Sequence, residues 1–254
     1  MKTSWGKEAS WYDAHLLGAD TYHEKVILPN LLRLLSPLKN KKIIELGCGQ
    51  GYFSRALAKE GADVTATDIS KELIAIAKEN ARGEINPRYE TLSADNLVTI
   101  PSGTYDIALI VLALQNIKDL GKTIEECRRV LIKGGKLVFV LNHPSFRIPQ
   151  ASSWGWDEEA KSQYRRVDKY LSESNSKIDM HPGKEKKSFT YSFHRPLQVY
   201  MKALGKHGFA TTRLEEWISH RQSQEGPRSK AEDIARKEIP LFMCVESIII
   251  DHHA

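Results

Sequence analysis

From residue 41 to residue 142, short apolar runs alternate with segments of helical spacing. Lys41–Leu46, KKIIEL, is a brief apolar run that ends in glycines, the pattern of a buried parallel strand. Tyr52–Glu60 has helical spacing. ADVTATD predicts a second strand, and Ser70–Ala81 a helix with Ser70 as its N-cap. Further strands are predicted at PRYETL and YDIALIVLAL, followed by a helix over Leu120–Leu131 and a strand at KLVFVL. Lys133-Gly134-Gly135 separates these last two, where glycine suits a left-handed helix C-cap. Strand and helix repeated in this order predict an α/β domain built on a parallel sheet.

The flanks differ. Residues 1–40 read as helical, with Trp5, Trp11, Tyr12 and Tyr22 around and ahead of VILPNLLRLLSPL. Beyond Leu141 the rhythm breaks: residues 143–190 hold prolines, Trp154, Trp156, a charged helix-like stretch around 157–173 and the lysine-rich GKEKK. A helix near 196–207 and strands at 210–217 and 240–250 then complete the sheet, with EGPRSKAEDIARKE as a polar loop leading into a short helix. The pattern predicts one domain, 1–254: a helical cap (1–40), a core (41–142), an insertion over one end of the sheet (143–190), and the completion of the sheet (191–254).

Composition adds a few bounds. With 41% hydrophobic residues the chain can bury a core without disulfides. Cys48, Cys127 and Cys244 lie far apart and form no CxxC pair, which argues against a secreted disulfide scaffold and for a cytoplasmic protein. The first residues lack the apolar stretch of a signal peptide, and no apolar run approaches a membrane span, roughly 20 residues. A net charge of +5 suits an anionic ligand but falls short of the basic stripe of a nucleic-acid binder, and Lys184–Lys187 reads as a solvated loop.

The most informative segment is Ile43-Ile44-Glu45-Leu46-Gly47-Cys48-Gly49-Gln50-Gly51. A strand ending in G-x-G-x-G turns sharply and lets a ligand approach the backbone where a Cβ would intrude. The dinucleotide fingerprint would need glycine at position 52, which is Tyr52, and no GxxxxGK[ST] phosphate loop is present. Glu45 would repel a pyrophosphate but suits a ligand carrying an amino group and a sulfonium. Asp68 ends the second strand, where a carboxylate can accept both hydroxyls of a ribose; alone it could be a helix N-terminal charge, but its distance from the glycine loop favours the ribose role.

These residues resemble the class I S-adenosylmethionine-dependent methyltransferases, in the group that includes small-molecule and quinone-pathway enzymes. Glu45–Gly51 matches their first motif and Asp68 their acidic strand end. Ser93-Ala94-Asp95-Asn96-Leu97, Tyr105-Asp106 and the run Arg128–Leu137 match further segments in order. The resemblance implies a Rossmann-like, doubly wound, mostly parallel sheet of seven strands, with helices on both faces and an insertion after strand five. It makes 41–142 the cofactor-binding core and 143–190 a substrate lid. With S-adenosylmethionine as cofactor, Gly47, Gly49 and Gly51 would shape the loop under the methionine moiety, with Glu45 organising its amino end. Cys48 would fill the tight turn rather than act as a nucleophile. Asp68 would bind the ribose and Ile69 flank the adenine. Asp95 would bind the adenine amino group beside the backbone of Asn96, with a one-residue shift left open, and Leu112 would line the methyl side. Trp11, Tyr12 and Tyr22 would either close over the sulfonium by cation–π attraction or belong to the core of the N-terminal helices.

Catalytic candidates come from the second half. Asn142–Arg147 follows strand five at the edge where α/β ligands bind, so His143 is a candidate base and Arg147 an anion clamp, unless both only hold the loop. His194 and Arg195, ahead of Pro196, are further candidates to face the substrate or cap a loop. Phe146, Trp154, Trp156 and Tyr164 would exclude water. No HExxH or CxxC-type site implies a metal. The expected activity is methyl transfer to a small-molecule acceptor. Leu112-Ala113-Leu114-Gln115-Asn116 lacks the [DN]PP[YF] of many amino-directed nucleic-acid enzymes, which disfavours an RNA acceptor. A protein or RNA acceptor and a non-catalytic S-adenosylmethionine-binding module stand as alternatives.

Overall fold

The computed structural model describes residues 20–179 and 189–250. Strand β1 (Lys42–Leu46) takes the centre because it is apolar on both sides: Ile44 and Leu46 face one layer and Ile43 the other. Around it lie β2 (Asp63–Asp68), β3 (Arg88–Thr91), β4 (Tyr105–Val111) and β5 (Leu131–Asn142), all parallel to their neighbours. Four strands lie outside this sheet as two antiparallel hairpins, β6 (Ser152–Asp157) with β7 (Ser162–Val167), and β8 (Ser174–Asp179) with β9 (Phe189–His194). Strands β10 (Phe209–Trp217) and β11 (Phe242–Ile249) complete seven in the order β10-β11-β5-β4-β1-β2-β3. β11 runs antiparallel to both β5 and β10. The expected mostly parallel, seven-stranded sheet is the one observed.

Helices cover both faces. A π-turn, His23–Ile27, leads into α1 (Leu28–Leu35), which packs with α2 (Tyr52–Lys59) on Ile43, Leu109, Val138 and Val140. Helix α3 (Lys71–Asn80) covers β2 and β3 through Ile74 and Ala77 against Ala66 and Tyr89. On the opposite face α4 (Leu120–Val130) and α5 (Leu197–Lys206) bury Ile124, Tyr200 and Leu204 against Ile110, Phe139 and Met243. Each such fully buried apolar side chain stabilises the fold by about 1.5–3 kcal/mol. Ser70 caps α3, accepting the Leu73 amide at 3.2 Å, as its sequence predicts. Helix α6 (Ser229–Glu238) lies beside β7.

Three local expectations are corrected. The charged stretch around 157–173 is not helical but contains the turn and second strand of a hairpin. The Asp157 carboxylate accepts the amides of Glu159 and Ala160 at 2.9 and 2.8 Å and so turns the chain. Cross-strand partners then outweigh helical propensity: Arg165 lies opposite Trp154, 5.1 Å from its ring centre, and bonds Ser152 Oγ and the Phe146 carbonyl. Second, Gly134 is left-handed (φ +71) but caps no helix: α4 passes straight into β5, and the glycine sits where the pairing slips between Tyr105↔Leu131 and Ile107↔Lys136. Third, β4 stops at Val111, because Leu112 takes φ +52 and turns the chain into a short 3₁₀ segment, Leu114–Asn116.

Candidate active site

The sheet order decides what meets at its carboxyl edge. The glycine loop after β1 lies between the ends of β2 and β4, over a cavity of about 310 Å³. Asp68, Ile69 and Leu73, with Ser93, Ala94 and Asp95 from the loop after β3, line one side of it. Leu112, Ala113, Asn116, Ile117 and Lys118 after β4 line the other, and Tyr191 and Phe193 of β9 reach in from outside the sheet. A crevice at the point where strand order reverses is the usual ligand position in open parallel sheets.

The glycines of the loop serve different ends. At Gly47 (φ +70) a Cβ would come within 2.5 Å of Ala113 Cβ, and at Gly51 (φ +78) within 2.5 Å of the Tyr89 hydroxyl. Those two let β4 and β3 close on the loop. Gly49 faces the cavity itself, and its amide donates to Asp68 Oδ2 at 3.0 Å. The other carboxylate oxygen of Asp68 accepts the Ser70 amide at 2.9 Å. Burial raises the Asp68 pKa and these amide bonds oppose the rise. A carboxylate has about four acceptor positions, so lone pairs remain for a ligand diol. Asp95 lines the same side and accepts the Ser93 hydroxyl. Ile69, 56% exposed, adds an apolar edge with Leu73 and Leu92.

Glu45 lies behind the loop, outside the cavity lining, where its carboxyl accepts the Ser54 hydroxyl of α2. Burial pushes its pKa up to about 7; the charge of Asp68 adds to the rise and the Ser54 bond opposes it. Cys48 is buried, and burial raises its thiol well above the usual range, so it packs rather than reacts. Asn96 closes a turn by bonding the Ser93 carbonyl at 3.0 Å and does not line the cavity.

The catalytic candidates are not gathered at this cavity. His143 is buried, with Nε2 2.6 Å from Glu216 Oε1 and Nδ1 accepting the Ser145 amide at 3.2 Å. Nδ1 is therefore unprotonated and Nε2 carries the hydrogen, which leaves no free lone pair for a base. His194 points away from the cavity and bonds the Tyr170 carbonyl at 2.8 Å. Arg147 is solvent-accessible yet crowded by protein, which lowers its pKa, and its guanidinium has no hydrogen-bond partner among the described residues. Arg195 does not line the cavity: it is buried and donates to the carbonyls of Ile117 and Lys118 at 2.9 and 2.7 Å. Tyr22 bonds Ser219 Oγ and packs on Phe242 and His220, away from the cavity lining. Trp5, Trp11, Tyr12 and Lys184–Lys187 lie outside the described residues.

Sequence reasoning missed Tyr191, Phe193, Asn116 and Lys118. A signal for the first two was present: FTYSFH alternates, with aromatics on one face of β9 and the buried Thr190 and His194 on the other.

A parallel sheet in this order, with a glycine loop and two acids at its carboxyl edge, defines a nucleoside-binding α/β domain. Residues 44–139 match the family model described as a methyltransferase domain. The ubiquinone biosynthesis O-methyltransferase of Coxiella burnetii is 34% identical over 111 residues, 43% of this chain and 47% of that protein. The matching part thus spans about half the length of that curated relative. Among solved structures, an S-adenosylmethionine-dependent methyltransferase from Mesorhizobium loti superposes with a TM-score of 0.72 at 27% identity, over 90% of this chain and all of the other. A glycopeptide N-methyltransferase complexed with S-adenosyl-L-methionine shares the fold, with a TM-score of 0.60 at 15% identity over 88% and 93% of the two chains. Residues 44–139 thus carry a methyltransferase domain, and the chain is similar in fold and sequence to S-adenosylmethionine-dependent methyltransferases. Among the described residues no helix is long and apolar enough to cross a membrane.

Proposed function

We propose that this protein transfers a methyl group from S-adenosylmethionine to a small-molecule acceptor and releases S-adenosylhomocysteine. The observation that carries the reading is the single cavity shared by Gly49, Asp68, Asp95 and Leu112. The residues fit the cofactor: an unfilled carboxylate for a ribose diol, a second acid with Ile69 for the base, and a glycine where a side chain would intrude. When bound, S-adenosylmethionine supplies a methyl group on a good leaving group. The work of the chain is then alignment, for which positioning alone can provide an effective molarity of about 10⁵ M or more. Asp68 and Asp95 orient the nucleoside, and Leu112 and Ala113 exclude water beside the methyl. The ubiquinone-pathway relative supports a small acceptor.

The direct test is calorimetric titration with S-adenosylhomocysteine, with NADH as control, followed by incubation of a metabolite extract with methyl-labelled donor. Micromolar binding of S-adenosylhomocysteine and label on a small product are expected. Tight NADH binding without S-adenosylhomocysteine binding would reject the reading, and label on protein or RNA alone would reject the acceptor class.

A further inference from the structure

We propose that Tyr191 and Phe193 form the aromatic wall that holds the sulfonium of the donor, a role for which the sequence offers aromatics of the N-terminal helices as one of two readings. The inference rests on reading the cavity as the S-adenosylmethionine site. Both acids that line the cavity, Asp68 and Asp95, lie on the side of β2 and β3. If they take the sugar and base, the sulfonium falls across the glycine loop, on the side of Leu112, Ala113 and Asn116. Among the described residues no carboxylate lines that side. A cation placed in a partly dry cleft without a counter-ion needs another source of negative potential, and the faces of aromatic rings supply one.

β9 brings two rings to that side. Tyr191 and Phe193 are two residues apart on one strand face and both line the cavity, and β9 packs against the 3₁₀ segment Leu114–Asn116. Their position is fixed from behind. Arg195 bonds the Ile117 and Lys118 carbonyls, and its guanidinium lies 5.2 Å from the centre of the Phe193 ring. The loop after β4 and the strand carrying the rings therefore hold one another. Lys118, the cation lining the same side, is an exposed residue whose charge water screens. Tyr22 is unsuited to the role, because it does not line the cavity and packs instead on Phe242 and His220.

Ring faces attract the charged donor and not the neutral thioether left after transfer. They therefore favour S-adenosylmethionine over S-adenosylhomocysteine and promote product release. Calorimetry with both ligands, without acceptor, reads this as a ratio of dissociation constants. The double variant Tyr191→Leu/Phe193→Leu is expected to lose about tenfold of the wild-type preference for the donor, with S-adenosylhomocysteine affinity held within about threefold. Tyr191→Phe, which keeps the ring, is expected to keep the preference. Should the double variant fail to fold, each single leucine variant carries the same test at about threefold. An unchanged ratio with intact S-adenosylhomocysteine binding overturns this inference alone. Failure of the wild-type protein to bind either ligand overturns the proposed function and this inference with it.

Discussion

The two walls of the cavity are built in opposite ways. The nucleoside wall, Gly47 to Asp95, is made by the loops after β1, β2 and β3, and its polar contacts span at most 19 residues: Gly49 to Asp68, Asp68 to Ser70, Ser93 to Asp95. The methyl-side wall joins the loop after β4 to a hairpin strand far along the chain, through one buried guanidinium. Their buried charges differ as well. Glu45, behind the first wall, is held toward its neutral form, whereas the Arg195 guanidinium, behind the second, donates to carbonyl oxygens. A wall made of local contacts is preorganised by the loop itself. One made of distant contacts depends on how the hairpins dock, which leaves it open to variation with the acceptor.

Glycine substitutions should separate packing from binding within the first wall most sharply. Gly49→Ala is expected to abolish measurable S-adenosylhomocysteine binding at a stability cost of about 1 kcal/mol. Gly47→Ala, which forces a contact with Ala113 at positive φ, is expected to cost about 2–4 kcal/mol in urea unfolding. Equal losses of stability in both would erase the distinction drawn between the two glycines.

Glu45 makes the stability of this wall depend on pH. Its folded pKa of about 7 lies above the ordinary carboxyl value of 4.5, so the carboxyl binds its proton more tightly in the folded state. Its contribution is complete below about 4.5 and is lost as pH rises through about 7, a change on the order of 2–3 kcal/mol. Glu45→Gln should remove that loss, so that the variant gains thermal stability relative to wild type between pH 5 and pH 8. A parallel pH dependence in both proteins would show that Glu45 ionises freely in the folded state.

Asp68→Ala should raise the S-adenosylhomocysteine dissociation constant about 10- to 100-fold, since a diol would lose a charged acceptor. Arg195→Met, acting only through the Ile117 and Lys118 carbonyls, should raise it by about three- to tenfold and make the 143–194 region more sensitive to limited proteolysis. A larger effect at Arg195 than at Asp68 would reverse the order of the two walls.

The nucleoside wall was legible in the sequence because its elements are defined over short stretches. Ile43–Leu46 ends in glycines that only a sharp turn explains, and Asp68 follows a strand of plain periodicity. The second wall was not legible. The stretch around 157–173 carries helix-forming charges, and its strand state depends on Trp154, Arg165 and the Asp157 turn meeting across a hairpin. His143 and Arg195 carry suitable chemistry on suitable loops. What directs His143 to Glu216, and Arg195 to carbonyls 77 and 78 residues away, is a set of long-range contacts that no local pattern encodes.

Taken alone, the sequence determined the order of strands and helices through residue 142, the glycine turn with its acidic partner, and the resemblance that these residues carry. Those features follow from backbone geometry and hydrophobic spacing, which act over a few residues. Tertiary structure decided which glycines of the loop a neighbouring strand closes on, which histidines are committed to structural hydrogen bonds, and that aromatics near residue 190 reach the cavity. Such outcomes depend on the docking of β9 against the end of β4, and docking is settled by the summed burial of both layers rather than by any segment on its own.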